Sequence, residues 1–158
     1  MFQVGDFIVY PMQGAGVIEA IEEKEILGEK QQYYVINIPS SKMEVMVPIG
    51  KEKKSRIRLV SDNVTLEKVL HNFYYGQTDT NLSMKERYKI NLEKFKTGDI
   101  QECAEVVRDL MRINKKKSLN QSEKQLLESA RKIFISELGF IKGLTENQAT
   151  DMLNKKVV

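Results

Sequence analysis

The chain is short of the residues from which catalytic and metal sites are most often built. Its 158 residues include one histidine, one cysteine and no tryptophan. A lone cysteine, Cys103, excludes an internal disulfide and any zinc site made from several thiolates. The lone histidine, His71, has no evident partner for a nucleophile–base pair and reads as a surface or boundary residue of a short helix. No apolar run approaches the roughly 18 residues of a membrane span. The opening "MFQVGDFIVYP" has neither the basic stretch nor the apolar core of a secretory signal. One-sided charge is also missing, since the formal net charge is only +3. These absences predict a soluble cytoplasmic protein without membrane association, cofactor, metal or small-molecule substrate, and not an enzyme.

What is present divides in two. Hydrophobic residues make up 41% and charged residues 30% of the chain, a globular composition with mixed signs. Residues 1–60 hold 8 basic and 8 acidic side chains, whereas residues 61–158 hold 17 and 14. A polyanionic partner is therefore expected at the second part.

The hydrophobic period changes at the same place. "DFIVYP", "GAGVIEAIEEKEI", "QQYYVINI", "KMEVMVPI" and "RIRLV" read as short strands, separated by the turn signals "MQGAG", "LGEK" and "PSSK". Strict counting puts Val17, Glu19, Ile21 and Glu23 on one face of the second strand. Such strands imply a small antiparallel sheet curled toward a barrel, with edges left open. From residue 64 the period is helical, and five helices are expected: "VTLEKVLHNF", Met84 to Lys96, Ile100 to Ile113, Gln121 to Ile141 and Glu146 to Lys155. Ser83/Glu86, Asp99/Glu102, Asn120/Glu123 and Thr145/Gln148 have capping-box spacing. The fold class is thus α+β: a Tudor/SH3-like sheet over residues 1–61 and a helical bundle over residues 62–158, with the boundary at the polar "SDN".

No constellation for catalysis stands out. "MQGAGVIEA" resembles a phosphate loop, but a strand follows its glycines where a phosphate loop needs a helix N-terminus. The glycines are better explained as a hairpin turn. Carboxylates interleave with lysines at helical spacing, as on solvated faces. Cys103 adjoins the apolar Ala104 and reads as a core or helix-face residue.

Positive charge is concentrated in two places. Arg108, Arg112 and Lys115 follow one face of the third helix, and Lys116 and Lys117 continue into a loop. Lys124 and Arg131 follow on the next helix. The plainer reading of such a run is a solvated surface, with Arg108 paired to a carboxylate. Met84, at the tip of the second helix, is surrounded by Lys85, Arg87 and Lys89. Helix N-termini favour phosphate through free N–H groups and the macrodipole. The alternative is that Met84 merely closes an apolar stripe with Tyr88.

The ordered motifs "VGDFIVYPMQGAGVIEAIE", "YYVINI", "MEVMVPI", "RYKINLEKFKTGD", "AEVVRDL" and "LNQSEKQLLESARKIFISEL" resemble the CarD/CdnL family of bacterial transcription regulators, from Phe2 to about Leu138. The first half alone is less specific, because it also resembles a segment of the transcription-repair coupling factor. The resemblance implies that the sheet docks on the β subunit of RNA polymerase, with contacts at Lys24, Ile26 and Met46. Relatives often carry arginine at the positions of Lys24 and Met46. It also implies that the helical part meets promoter DNA at the upstream edge of the melted region and stabilises the open complex. Many relatives place a wedging tryptophan four residues before the tyrosine matched by Tyr88, which is the position of Met84. Lys85, Arg87, Lys89, Arg112, Lys115, Lys116, Lys117 and Lys124 are the expected DNA-facing cations. An adaptor whose helices bind another protein remains the alternative.

Overall fold

The computed structural model describes residues 1–154. Its first part is one antiparallel sheet. Strand β1 (Phe7–Tyr10) turns into β2 (Gly14–Ile26), which turns into β3 (Glu29–Ile38). A single 3-10 turn, Pro39–Ser41, leads to β4 (Met43–Pro48). A four-residue helix α1 (Glu52–Ser55) then precedes β5 (Arg58–Leu59), which pairs with β1. The order across the sheet is β4-β3-β2-β1-β5, so β4 and β5 are its edges. Sequence reading misses α1, because four residues without an apolar stripe carry no period.

Alternation buries Ile8, Ile18, Tyr34, Ile36, Ile38, Val47 and Ile57 together on one face. Strict counting fails at one point in β2. The pairing passes from Ile18↔Ile36 to Ala20↔Val35, leaving Glu19 as the extra residue of a bulge. Ile21 therefore stands opposite Tyr34, on the same face as Ile18. Of the glycines in "GAG", Gly14 has φ +131° at the turn, but Gly16 is needed for close approach. A Cβ there would lie 2.3 Å from the Asn37 carbonyl oxygen.

The second part contains α2 (Asn63–Tyr75), α3 (Met84–Lys96), α4 (Ile100–Lys116), α5 (Gln121–Lys142) and α6 (Glu146–Asn154). Asp62, Ser83, Asp99 and Asn120 each cap a helix by accepting a bond from the N–H three residues on. Thr145 and Gln148 form both bonds of a capping box. Helix α4 runs to Lys116, so this lysine closes a helix and does not begin a loop. The expected helix end at Lys155 lies outside the described residues, as do residues 156–158. The apolar stripes converge on a core that includes Leu66, Phe73, Val107, Leu110, Phe134 and Leu138. Leu126 is buried there, and Leu127 is partly buried against the same core.

The two parts are joined along α5. Ser136 Oγ accepts a bond from the Ala15 N–H at 3.1 Å, and the rings of Phe7 and Phe140 meet edge to face with centroids 5.2 Å apart. Arg58 forms a two-pronged ion pair with Glu137 at 2.7 and 2.8 Å. A third Glu137 bond comes from the Ser61 N–H.

Candidate functional site

Two surfaces stand out, one on each part. On the sheet, β2 and β3 project beyond the core as a hairpin, and every residue from 21 to 30 is exposed. Leu27 and Gly28 form its two-residue turn with φ of +54° and +80°. Register fixes the facing of Lys24, Ile26 and Met46. Met46 stands opposite Val35, and Val35 opposite Ala20. Lys24 and Ile26 follow Ala20 at even spacing with no further irregularity, so all three share one face of the sheet. Ile26 is 54% exposed and Leu27 99% exposed. Leu27 is absent from the residues expected from sequence. Its signal was the "LGEK" turn, which puts an apolar side chain where only solvent or a partner can meet it.

On the helical part, three helix ends meet. The N-termini of α3 and α5 touch: Asn120 Nδ2 donates to Met84 Sδ at 2.8 Å. Arg87 Nε and Nη2 donate to the Glu123 carboxylate at 2.7 and 2.8 Å. The C-terminus of α4 reaches the same place through residues 117–120. This end therefore gathers Met84, Lys85, Lys115, Lys116, Lys117 and Lys124, with Lys89 farther along α3; all of these are exposed. Lys115 and Lys116 also suit the last turn of α4, where the macrodipole favours positive charge.

Arg87 and Arg112, both expected to face DNA, are occupied within the fold. Arg87 is only 17% exposed, and its partner Glu123 is fully buried. Hydrogen bonds to Glu123 raise the Arg87 pKa above the ordinary arginine value. Arg87 therefore binds α3 to α5 rather than presenting a free guanidinium. Arg112 donates to the carbonyls of Gly76, Phe73 and Tyr74 and to Thr78 Oγ1. Those carbonyls are at the C-terminus of α2, where partial negative charge accumulates. Burial lowers the Arg112 pKa. Arg108 is buried likewise, bonded to Asp109 and to the carbonyls of Asn72 and Gln77. Arg131 bonds the Asn154 side chain. Helical spacing shows that these arginines share a face but not that a neighbouring helix end lies beneath it.

The other sequence candidates have structural surroundings. Cys103 is buried, and its Sγ lies 3.4 Å from the Ala130 carbonyl oxygen. Burial pushes its thiol pKa up to about 12. His71 stacks near Tyr75 beside a groove of about 720 Å³ between α2 and α6. The carboxylates of that groove are not enclosed: Glu67 pairs with Lys142, and Asp151 is exposed. Among the described residues, no three acidic, histidine or cysteine side chains are grouped to hold a metal ion. No helix among them is long and apolar enough to cross a membrane.

A protruding hairpin face and a lysine-rich helical end, on two parts joined along α5, define a two-part protein with one exposed surface on each part. Comparison with known proteins places it in the transcription machinery. Residues 2–61 match the CarD-like/TRCF RID domain, an RNA polymerase-interacting domain, and residues 68–154 match the CarD C-terminal domain. The chain belongs to the CarD family of transcription factors, which regulate transcription in association with RNA polymerase. It is 60% identical over 148 residues to YdeB of Bacillus subtilis (strain 168), provisionally named a transcription factor, covering 94% of this chain and 97% of that protein. It is also similar to the solution NMR structure of the 72-residue N-terminal domain of Myxococcus xanthus CarD, at 36% identity and a TM-score of 0.32. That match covers 37% of this chain and 79% of the other.

Proposed function

We propose that this protein is a non-enzymatic cytoplasmic regulator that docks on the RNA polymerase β subunit and steadies the open promoter complex. Residues 1–61 are the docking unit, through Lys24, Ile26 and Met46, and residues 62–158 are the DNA-facing unit. The observation that carries the reading is the meeting of three helix ends around Met84. Two of these ends offer N-terminal N–H groups and dipole charge suited to phosphate, and the third brings lysines. Lys85, Lys89, Lys115, Lys116, Lys117 and Lys124 contact flanking phosphates, while Met84 leads into the minor groove at the edge of the melted region. Methionine is among the apolar side chains used as such wedges. Arg87 and Arg112 hold the helices that present this end.

The mechanism is differential binding. A protein that touches melted DNA better than closed DNA shifts the equilibrium toward the open state. Tethering to polymerase raises the effective concentration of promoter DNA, so weak contacts suffice. Free DNA should bind poorly, in keeping with a net charge of only +3. The test is promoter opening by polymerase with the wild type, with Met84→Ala and with a Lys115/Lys116/Lys117→Ala triple variant. The variants should open less promoter than the wild type; equal activity of all three would remove the DNA half of the proposal. Photocrosslinking from the helical end within the complex distinguishes DNA from a protein target.

A further inference from the structure

One guanidinium binds the sheet to both helices that end at Met84. Arg58 leaves β5 and grips Glu137 of α5, which is only 2% exposed. Its Nε also donates to the Gly98 carbonyl at 2.8 Å, just beyond the C-terminus of α3. Arg56 adds a bond to the Lys96 carbonyl at 3.3 Å. Two arginines of the first part, Arg56 after α1 and Arg58 in β5, therefore meet the negative end of the α3 dipole. The opposite end of α3 carries Met84, about 20 Å away at 1.5 Å per residue. There, Arg87 and Glu123 fasten α3 to α5 again. The two helices are thus clamped at both ends, and the lower clamp is rooted in the sheet.

We infer that Arg58 is a positioning residue that sets the aim of the Met84 end relative to the polymerase-facing hairpin. This inference rests on the proposed function. The remaining contacts keep the two parts together but restrain them less. Phe7–Phe140 and Ala15–Ser136 reach α5 only, and Gly98 meets Pro11 by packing. Without Arg58 the parts stay joined, but the base of α3 keeps only the longer Arg56 bond to the Lys96 carbonyl, and Glu137 only the bond from the Ser61 N–H. A tethered contact works only when geometry allows both ends to engage at once. Arg58 therefore acts on DNA without touching it.

The test uses the full chain with spin labels at Lys53→Cys in α1 and Gln125→Cys in α5, both exposed positions. Buried Cys103 does not compete for the label. The wild-type background should give a narrow distance distribution. Arg58→Met should broaden it and reduce polymerase-dependent promoter opening about tenfold, with polymerase retention unchanged. Arg58→Lys, which keeps the charge but not the fork, should fall between them. A distribution that stays narrow in Arg58→Met, or one that broadens with opening intact, overturns the inference. If Arg58→Met does not fold, Glu137→Gln carries the same comparison. If the wild type itself does not promote opening, the proposed function fails, and the distance distribution still decides whether Arg58 sets the joint.

Discussion

The side-chain amide of Asn120 rests on the sulfur of Met84, so the cap of α5 supports the first residue of α3. Met84 is nevertheless 45% exposed. A large apolar side chain is thus held from below and left open above, as the proposed wedge requires. Met84→Ala should leave stability within about 1 kcal/mol of wild type, since little apolar contact is lost. It should weaken promoter opening by up to about tenfold, the equivalent of 1.4 kcal/mol of differential contact. Met84→Trp should open promoters better than wild type, because a flat ring can lie against an unstacked base. Thermal melts and the yield of unpaired promoter bases measure the two effects.

Breaking the Arg87–Glu123 pair should cost far more stability. Glu123 is fully buried, so Arg87→Met leaves a charge without its partner. The expected loss is about 3–5 kcal/mol, read from urea denaturation. Replacing both residues with apolar side chains of similar size should recover much of it. A loss no greater than that of an exposed pair would show that Arg87 is not structural.

On the sheet, Ile26→Asp and Leu27→Asp should abolish retention on immobilised polymerase while leaving the circular dichroism spectrum unchanged. Both side chains are exposed, so neither contributes to the sheet core. Unchanged retention in both would remove the hairpin from the docking surface.

Gly16→Ala should destabilise the sheet, because the added methyl meets backbone and not a movable side chain. A backbone clash of this kind costs on the order of 1–3 kcal/mol, measurable as a lower urea midpoint.

Cys103 should resist thiol reagents in the folded protein and react on unfolding. The thiol pKa lies near 12 when folded, against 9.0 ordinarily. Below pH 9 both states are protonated, and the contribution to stability is fully present. Between pH 9 and 12 the unfolded thiol ionises first, so stability falls as pH rises. Cys103→Ala should flatten that part of the pH–stability curve.

Local chemistry fixed much of this protein before any packing was known. Capping residues at 83, 99, 120 and 145 mark where helices begin, because their side chains satisfy backbone groups only a few residues away. Alternating apolar positions mark the strands for a similar reason. The ordered motifs carry the family resemblance, and the family matches agree with it.

Long-range partners were not legible. Glu123 and Lys124 are adjacent charged residues of one helix, yet one is buried under Arg87 and the other faces solvent. Arg112 and Lys115 share a helical face, but nothing in that spacing shows that Arg112 meets the carbonyls at the end of α2. The bulge at Glu19 reverses a facing that counting alone assigns. Composition and period determined that a sheet would precede a helical bundle, since both depend on neighbours along the chain. Tertiary structure alone decided which cations remain exposed, because an arginine's partner is chosen by whichever carboxylate or helix end the fold brings beside it.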